Sequence, residues 1–423
     1  GKVLQQSDVT QWKGMAQDAL NYRDKNGHTP YWTNSMFGGM PTYQITGAVG
    51  YSYSIGVLDR IFSVVLPEPI NLFFLAALCF YFLAQVLGFN PIISIIGGLA
   101  YSYATYNPII IIVGHITKMH AIAYMPFFVG SILLLYKKHF LWGGVLTGIS
   151  TALFVQANHL QITYYGIIIV GFITLYYLIE WIKTKDFGAI WKSASIAIIA
   201  GALGLAINGP ILVSTYEYGK VSIRGGSALT TKDSKTTKTG LNKDYAFQYS
   251  MYPYEPLVLM FPNLYGGSSD PNIVDPSSSK AIETLQQTPQ QIGQYIQRFL
   301  SFYWGGIGFT AGPPYVGIVI CLLAFIGFSN PNNKHKWWIA SAILVSCLLA
   351  AGSFLESFNV FVLNHVPFYD KFRAPSMIMV IPTLLIGISA LYGMEGVSSI
   401  TNFGEFIKKY KVGLLLISIA LIS

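Results

Sequence analysis

The sequence predicts an all-α polytopic membrane protein. Three observations predict it. Of the 423 residues, 53% are hydrophobic and only 10% are charged, whereas a soluble domain carries about a quarter charged residues. The apolar runs approach the roughly 20 residues that a spanning helix needs. The lysines gather between those runs, in every second loop. A net charge of +8 and a pI near 9.1 also suit a nucleic-acid binder. Here the positive charge lies where topology signals lie, so the expected surroundings are membrane lipids and nucleic acid is not an expected partner.

The chain opens on a polar segment. Residues 9–25 have Val9, Trp12, Ala16, Ala19 and Leu20 on one face, with Met15 beside them. That pattern predicts an amphipathic juxtamembrane helix on the membrane surface. Ser7 or Asp8 stands where a cap belongs, and Asp8-x-x-Gln11 fits a loose capping box. Asp8 therefore has two compatible readings, a helix cap and a carboxylate held ready for chemistry. A Gly/Pro-rich loop, "TNSMFGGMPTY", follows at 33–43.

Runs of spanning length then occur at about 71–89, 92–113, 120–136, 140–156, 162–182, 193–213, 313–329, 337–352 and 375–394, with a short one from 412. The basic loops hold Lys137 and Lys138; Lys183, Lys185 and Lys192; Lys334 and Lys336; and Lys408, Lys409 and Lys411. By the positive-inside rule these loops are cytoplasmic. Four segments result: a first extracytoplasmic loop with its juxtamembrane helix (1–70), a six-helix bundle (71–213), a large extracytoplasmic loop or cap (214–312) and a continued bundle (313–423). Within the cap, Ile292, Tyr295, Ile296 and Phe299 recur at helical spacing. The sequence starts at Gly1 with no signal peptide, and its last run is too short to span. It reads as a piece of a longer chain, with at least one helix before Gly1 and more chain after Ser423.

Four constellations on the extracytoplasmic side are candidates for chemistry. Asp8 is the first. The second is "GHITKMH" (114–120), where His115, Lys118 and His120 crowd a short turn. Such a turn suits a phosphate, or it simply ends two helices at the interface. Two histidines without an acid in that loop are a thin metal-ligand set, and no metal is expected. The third is "QANHLQITYY" (156–165), in which Gln156, Asn158, His159, Gln161 and Tyr164 suit a sugar or an interfacial belt. The fourth is "NHVPFYDKFRAPS" (364–376), where Arg373 would fork onto a phosphate, pair with Asp370 or snorkel to headgroups. Cys79, Cys321 and Cys347 lie within apolar runs without metal spacing and read as packing residues. No P-loop, G-x-S-x-G elbow or HExxH is present, so an ATP-driven machine is not expected of this chain. No charge interrupts the middle of an apolar run, which counts against an ion pump.

Taken together, the acidic residue ahead of the juxtamembrane helix, "GHITKMHAIAYMP" and "FYDKFRAPS" resemble the YfhO family of bacterial membrane proteins, in detail its Bacteroidota members. That family is related to the GT-C superfamily of glycosyltransferases. The resemblance implies a GT-C-like bundle in the cytoplasmic membrane with its active site facing the periplasm or outside. It implies transfer of a sugar from a polyprenyl-phosphate donor to an extracytoplasmic glycan, lipid or protein, with no cofactor beyond the lipid-linked sugar. Asp8 would be the catalytic base. His115, Lys118, His120 and Arg373 would hold the donor phosphate, and His159, Gln161 and Tyr164 the acceptor or sugar. The resemblance also leads one to expect an acid in the second outer loop, 114–120, which has none. The alternatives are a transporter or flippase of lipid-linked glycans and a non-catalytic membrane scaffold.

Overall fold

The computed structural model describes residues 6–46, 55–225, 240–269, 280, 287, 303–400 and 402–422. The predicted helical stretch around Ile292–Phe299 lies outside the described residues. The protein is an all-α membrane bundle. Among the described residues, five helices are long and apolar enough to cross a membrane, or seven if each of two bent pairs is one span. The chain divides into two compact units that interleave in sequence: residues 1–88 with 110–240, and 89–109 with 241–423. They do not coincide with the four segments expected from hydropathy.

The first unit opens with α1 (Ser7–Asn26). Its inward face rests on Ala16 and Ala19. The Trp12 ring is open on the surface, and its indole N–H donates to the Ile45 carbonyl. A two-stranded hairpin follows, β1 (Trp32–Thr33) against β2 (Met40–Pro41), antiparallel with Thr33 opposite Met40. Thr33 Oγ1 donates to Asp18 Oδ2 at 3.1 Å, which fastens the hairpin to α1. A seven-residue helix, α2 (Gly56–Phe62), precedes the first spanning helix, α3 (Ile70–Leu87).

The run at 92–113 is two helices, α4 (Pro91–Ser102) and α5 (Tyr106–Ile112), bent by 41°. Then come α6 (Ile116–Tyr136), α7 (Phe140–Gln156), α8 (Leu160–Lys183) and α9 (Phe187–Ile207). Asn208 separates α9 from α10 (Gly209–Lys220), which starts on Gly209-Pro210 and carries helix into the expected cap. The unit is built round α6, with 89% of its apolar window buried against 17% for α9. A helix apolar all round is buried by protein or lipid, and these two helices illustrate both cases. A Cβ on Gly143 would lie 2.5 Å from Leu135 Cα, so α7 begins in backbone contact with α6. At that end Lys138 Nζ meets Asp186 Oδ2 at 2.5 Å, joining two of the loops expected to be basic.

The second unit contains α4, the short helix α11 (Lys243–Ala246), α12 (Ile318–Ser329), α13 (Lys336–Ala350), α14 (Glu356–His365), α15 (Val380–Ser398) and α16 (Phe403–Ile422). The central helix is α15, packed on α4, α12 and α13. The stretch 353–374 lies between the runs placed at 337–352 and 375–394, where hydropathy alone leaves a connection. Instead, a bend of 105° after Ala350 leads into a further helical arm at Gly352–His365. In the cap, buried Glu255 accepts from Tyr252 N and Gly306 N, both at 2.9 Å, and from the Tyr303 hydroxyl. Those contacts satisfy a carboxylate that would otherwise be expensive to bury, and they explain why an acid sits at the centre of an aromatic loop.

Candidate functional site

Asp8 is not the cap of α1. The helix begins two residues earlier than its apolar pattern suggests, and Gln6 is the cap residue. The Gln6 amide is engaged elsewhere, donating to the Ile111 carbonyl at 2.5 Å, so no side chain caps the helix. Asp8 falls in the first turn, where a carboxylate favours the helix dipole. It points at His115, with Asp8 Oδ2 2.7 Å from His115 Nε2. The other ring nitrogen, Nδ1, lies 2.9 Å from Lys118 Nζ. An ammonium only donates, so Nδ1 is the acceptor and Nε2 carries the hydrogen. The three residues form one chain, from the Lys118 ammonium through a neutral imidazole to the Asp8 carboxylate. Burial and the nearby Lys118 charge hold His115 below its ordinary pKa, against the opposing pull of Asp8. The Asp8 side chain is 46% exposed and open to a ligand.

The segment "GHITKMH" is not a turn. Gly114, at φ +96, ends α5, and α6 has already begun at Ile116. Lys118 is therefore a helical residue and only 7% exposed. Gly114 also permits a close approach. A Cβ there would lie 3.2 Å from Val9 N and 3.3 Å from Asp8 Cβ. Gly114→Ala must adopt a left-handed backbone, at about 1–2 kcal/mol, and press on the start of α1. The expected result is a lower thermal midpoint in detergent, with the Asp8–His115 pair disturbed in the histidine ring NMR signals.

Helical phase also divides the predicted phosphate cluster. Lys118 and His120 are two positions apart on α6 and face directions roughly 200° apart. His120 belongs to a different group. Its Nε2 lies 2.7 Å from Asp59 Oδ1, and the Tyr124 hydroxyl donates to the same oxygen at 2.5 Å. The Phe62 ring meets that of Phe127 edge-on at 5.7 Å. Thus α2 does not stay in an outer loop; it lies beside the first three turns of the α6 span. Asp59 thus brings a carboxylate beside the first turns of α6, whose own sequence carries no acid.

His159 caps α8, with its Nδ1 accepting from Ile162 N at 3.4 Å. That leaves the hydrogen on Nε2. Burial and the positive charge of Lys118 push its pKa down to about 3, so the ring is neutral at physiological pH and acts as a hydrogen-bond donor. Gln161 does not project into an open sugar site: it is buried and donates to Tyr165 OH at 2.7 Å, one turn further along its own helix. Tyr164 remains half-buried.

Arg373 belongs to the second unit. Its Nη1 donates to the Tyr245 hydroxyl at 2.7 Å, and the guanidinium lies 5.1 Å from that ring's centroid. The expected alternative partner, Asp370, pairs with Lys371 at 2.9 Å.

The fold and these clusters define a helical membrane protein with a carboxylate–imidazole–ammonium chain where α1 meets α6. The chain matches no family model, no curated protein and no solved structure.

Proposed function

We propose that this protein is a GT-C-type membrane glycosyltransferase, taking a sugar from a polyprenyl-phosphate donor on the outer side of the bacterial cytoplasmic membrane. The observation that carries the reading is the Asp8–His115–Lys118 chain with its carboxylate open to a ligand. The resemblance to YfhO proteins supports the class of reaction. Asp8 takes the proton of the acceptor hydroxyl as that oxygen bonds to the anomeric carbon. The bond from that carbon to the phosphate oxygen breaks, and polyprenyl phosphate leaves with the electron pair. Lys118 and the His159 Nε2–H meet the departing charge. His115 keeps Asp8 oriented through its fixed tautomer. These steps use residues of the first unit alone.

The reading predicts that cells lacking the gene accumulate a polyprenyl-phosphate sugar, measured by mass spectrometry of extracted lipids. An unchanged lipid-linked sugar pool removes its basis.

A second reading, transport of lipid-linked glycans, has one observation in its favour. Among the described residues, the buried hydroxyl oxygens of Thr147 and Thr151 on α7 and Ser193 on α9 have no hydrogen-bond partner, and transport needs polar groups within a bundle. Movement of an unaltered lipid-linked glycan across a reconstituted vesicle would favour it.

A further inference from the structure

The Asp59 cluster takes no part in the chemistry assigned to Asp8, and it meets α6 on another face. Its two carboxylate oxygens are unequally used. Oδ1 accepts from both His120 and Tyr124. Oδ2 has no hydrogen bond within the described residues, while the side chain is 25% exposed and that of His120 26%. Two donors on one oxygen favour the charged form of the acid. A charged oxygen left open beside α6 can accept a hydrogen bond from a ligand hydroxyl in place of water.

Arg60, the next residue along α2, adds positive charge beside this carboxylate, which disfavours a cationic headgroup. A neutral hydroxyl meets no such repulsion. His120 and Tyr124 stand about one and two turns from the start of α6, a helix long and apolar enough to cross a membrane, and the ends of a spanning helix lie at the level of lipid headgroups. We propose that Asp59 Oδ2 accepts a hydroxyl of a sugar, presented as a neutral glycolipid headgroup, with His120 and Tyr124 as its positioning residues. This site is separate from the Asp8 chemistry and does not depend on it.

The test is titration of the full chain by native mass spectrometry, in an amine-oxide detergent that carries no sugar. The probe is monoglucosyl diacylglycerol. Asp59→Asn keeps an acceptor for His120 and Tyr124 but replaces the open carboxylate oxygen with an amide, and it is expected to weaken binding at least about tenfold. His120→Gln is expected to weaken it less, and Asp24→Asn, an exposed acid on α1, not at all. A parallel titration with methyl β-glucoside separates a lipid-borne sugar from a free one: Asp59-dependent binding of either supports the hydroxyl site, and preference for the lipid supports entry from the bilayer. Absence of binding by the unaltered chain, equal binding by Asp59→Asn, or Asp59-dependent binding of phosphatidylethanolamine in place of the glucosides would overturn the proposal.

Discussion

Asp8→Asn is expected to lower sugar transfer by about 10²–10⁴-fold, the span that general-base catalysis supplies. That corresponds to about 2.7–5.5 kcal/mol of transition-state stabilisation. The size separates two roles for the residue. As an acid in the first turn of α1, Asp8 contributes only about 0.3–1 kcal/mol through the helix dipole, and asparagine retains much of the local geometry. A stability loss of that order with full activity would reduce Asp8 to a structural residue. The measurement is turnover of a defined polyprenyl-phosphate sugar by purified protein, with the thermal midpoint recorded on the same samples. The exposed flank of the pair makes the variant informative, because no buried cavity or uncompensated charge is created. The neutral state of His115 sharpens the expectation, since the imidazole cannot replace the lost carboxylate as an anion.

Gly327→Ala is expected to destabilise the second unit by about 1–3 kcal/mol or more. A Cβ at Gly327 would lie 1.8 Å from the Ser389 carbonyl oxygen, and one at Gly393 1.9 Å from that of Leu323. Here α12 and α15 meet backbone to backbone, running antiparallel. Between helices in lipid there is little hydrophobic drive, so close approach over small residues holds such pairs together. One methyl group forces the two axes apart along the contact. Gly201 on α9 has nothing within 4 Å of its Cβ position. Gly201→Ala should therefore be neutral or stabilising, by up to about 1 kcal/mol from helix propensity. Thermal midpoints of the two variants in one detergent provide the comparison. Similar losses from both would show that propensity, not contact, governs these positions.

The spanning helices were legible because long apolar runs have few alternatives in a chain of this composition. The run placed at 162–182 became the span α8 with shifts of at most two residues, whereas those at 140–156 and 313–329 became α7 and α12, apolar helices shorter than a span. The turn between α7 and α8 was marked by Asn158, at φ +56, a residue type that tolerates left-handed backbone. The candidate site was legible as a set of residues but not as a geometry. His115, Lys118 and His120 looked like one polar loop because polarity was taken as the end of a helix. All but His115 lie on α6, where helical phase sends Lys118 and His120 apart. The Asp8 capping box satisfied a local pattern, yet the carboxylate found a stronger partner in His115, 107 positions away in sequence. Asp59 was one of several acids in the opening segment. Its partners lie 61 and 65 residues downstream, and "AIAYMP" reads as plain core. An acid and an arginine inside the otherwise apolar "GVLDRIF" were the only local signal, and local patterns do not specify long-range partners.

The placement of α2 also sets an order of assembly. Seven residues that include Asp59 and Arg60 are too short and too polar to enter a bilayer by their own partitioning. Their seat is formed by α6 and α7, which are synthesised later. The segment must therefore wait outside the hydrocarbon and dock only after those helices have inserted. Its carboxylate becomes usable at the last step, so the ionisable group beside the span is a product of completed folding and not a burden on membrane insertion.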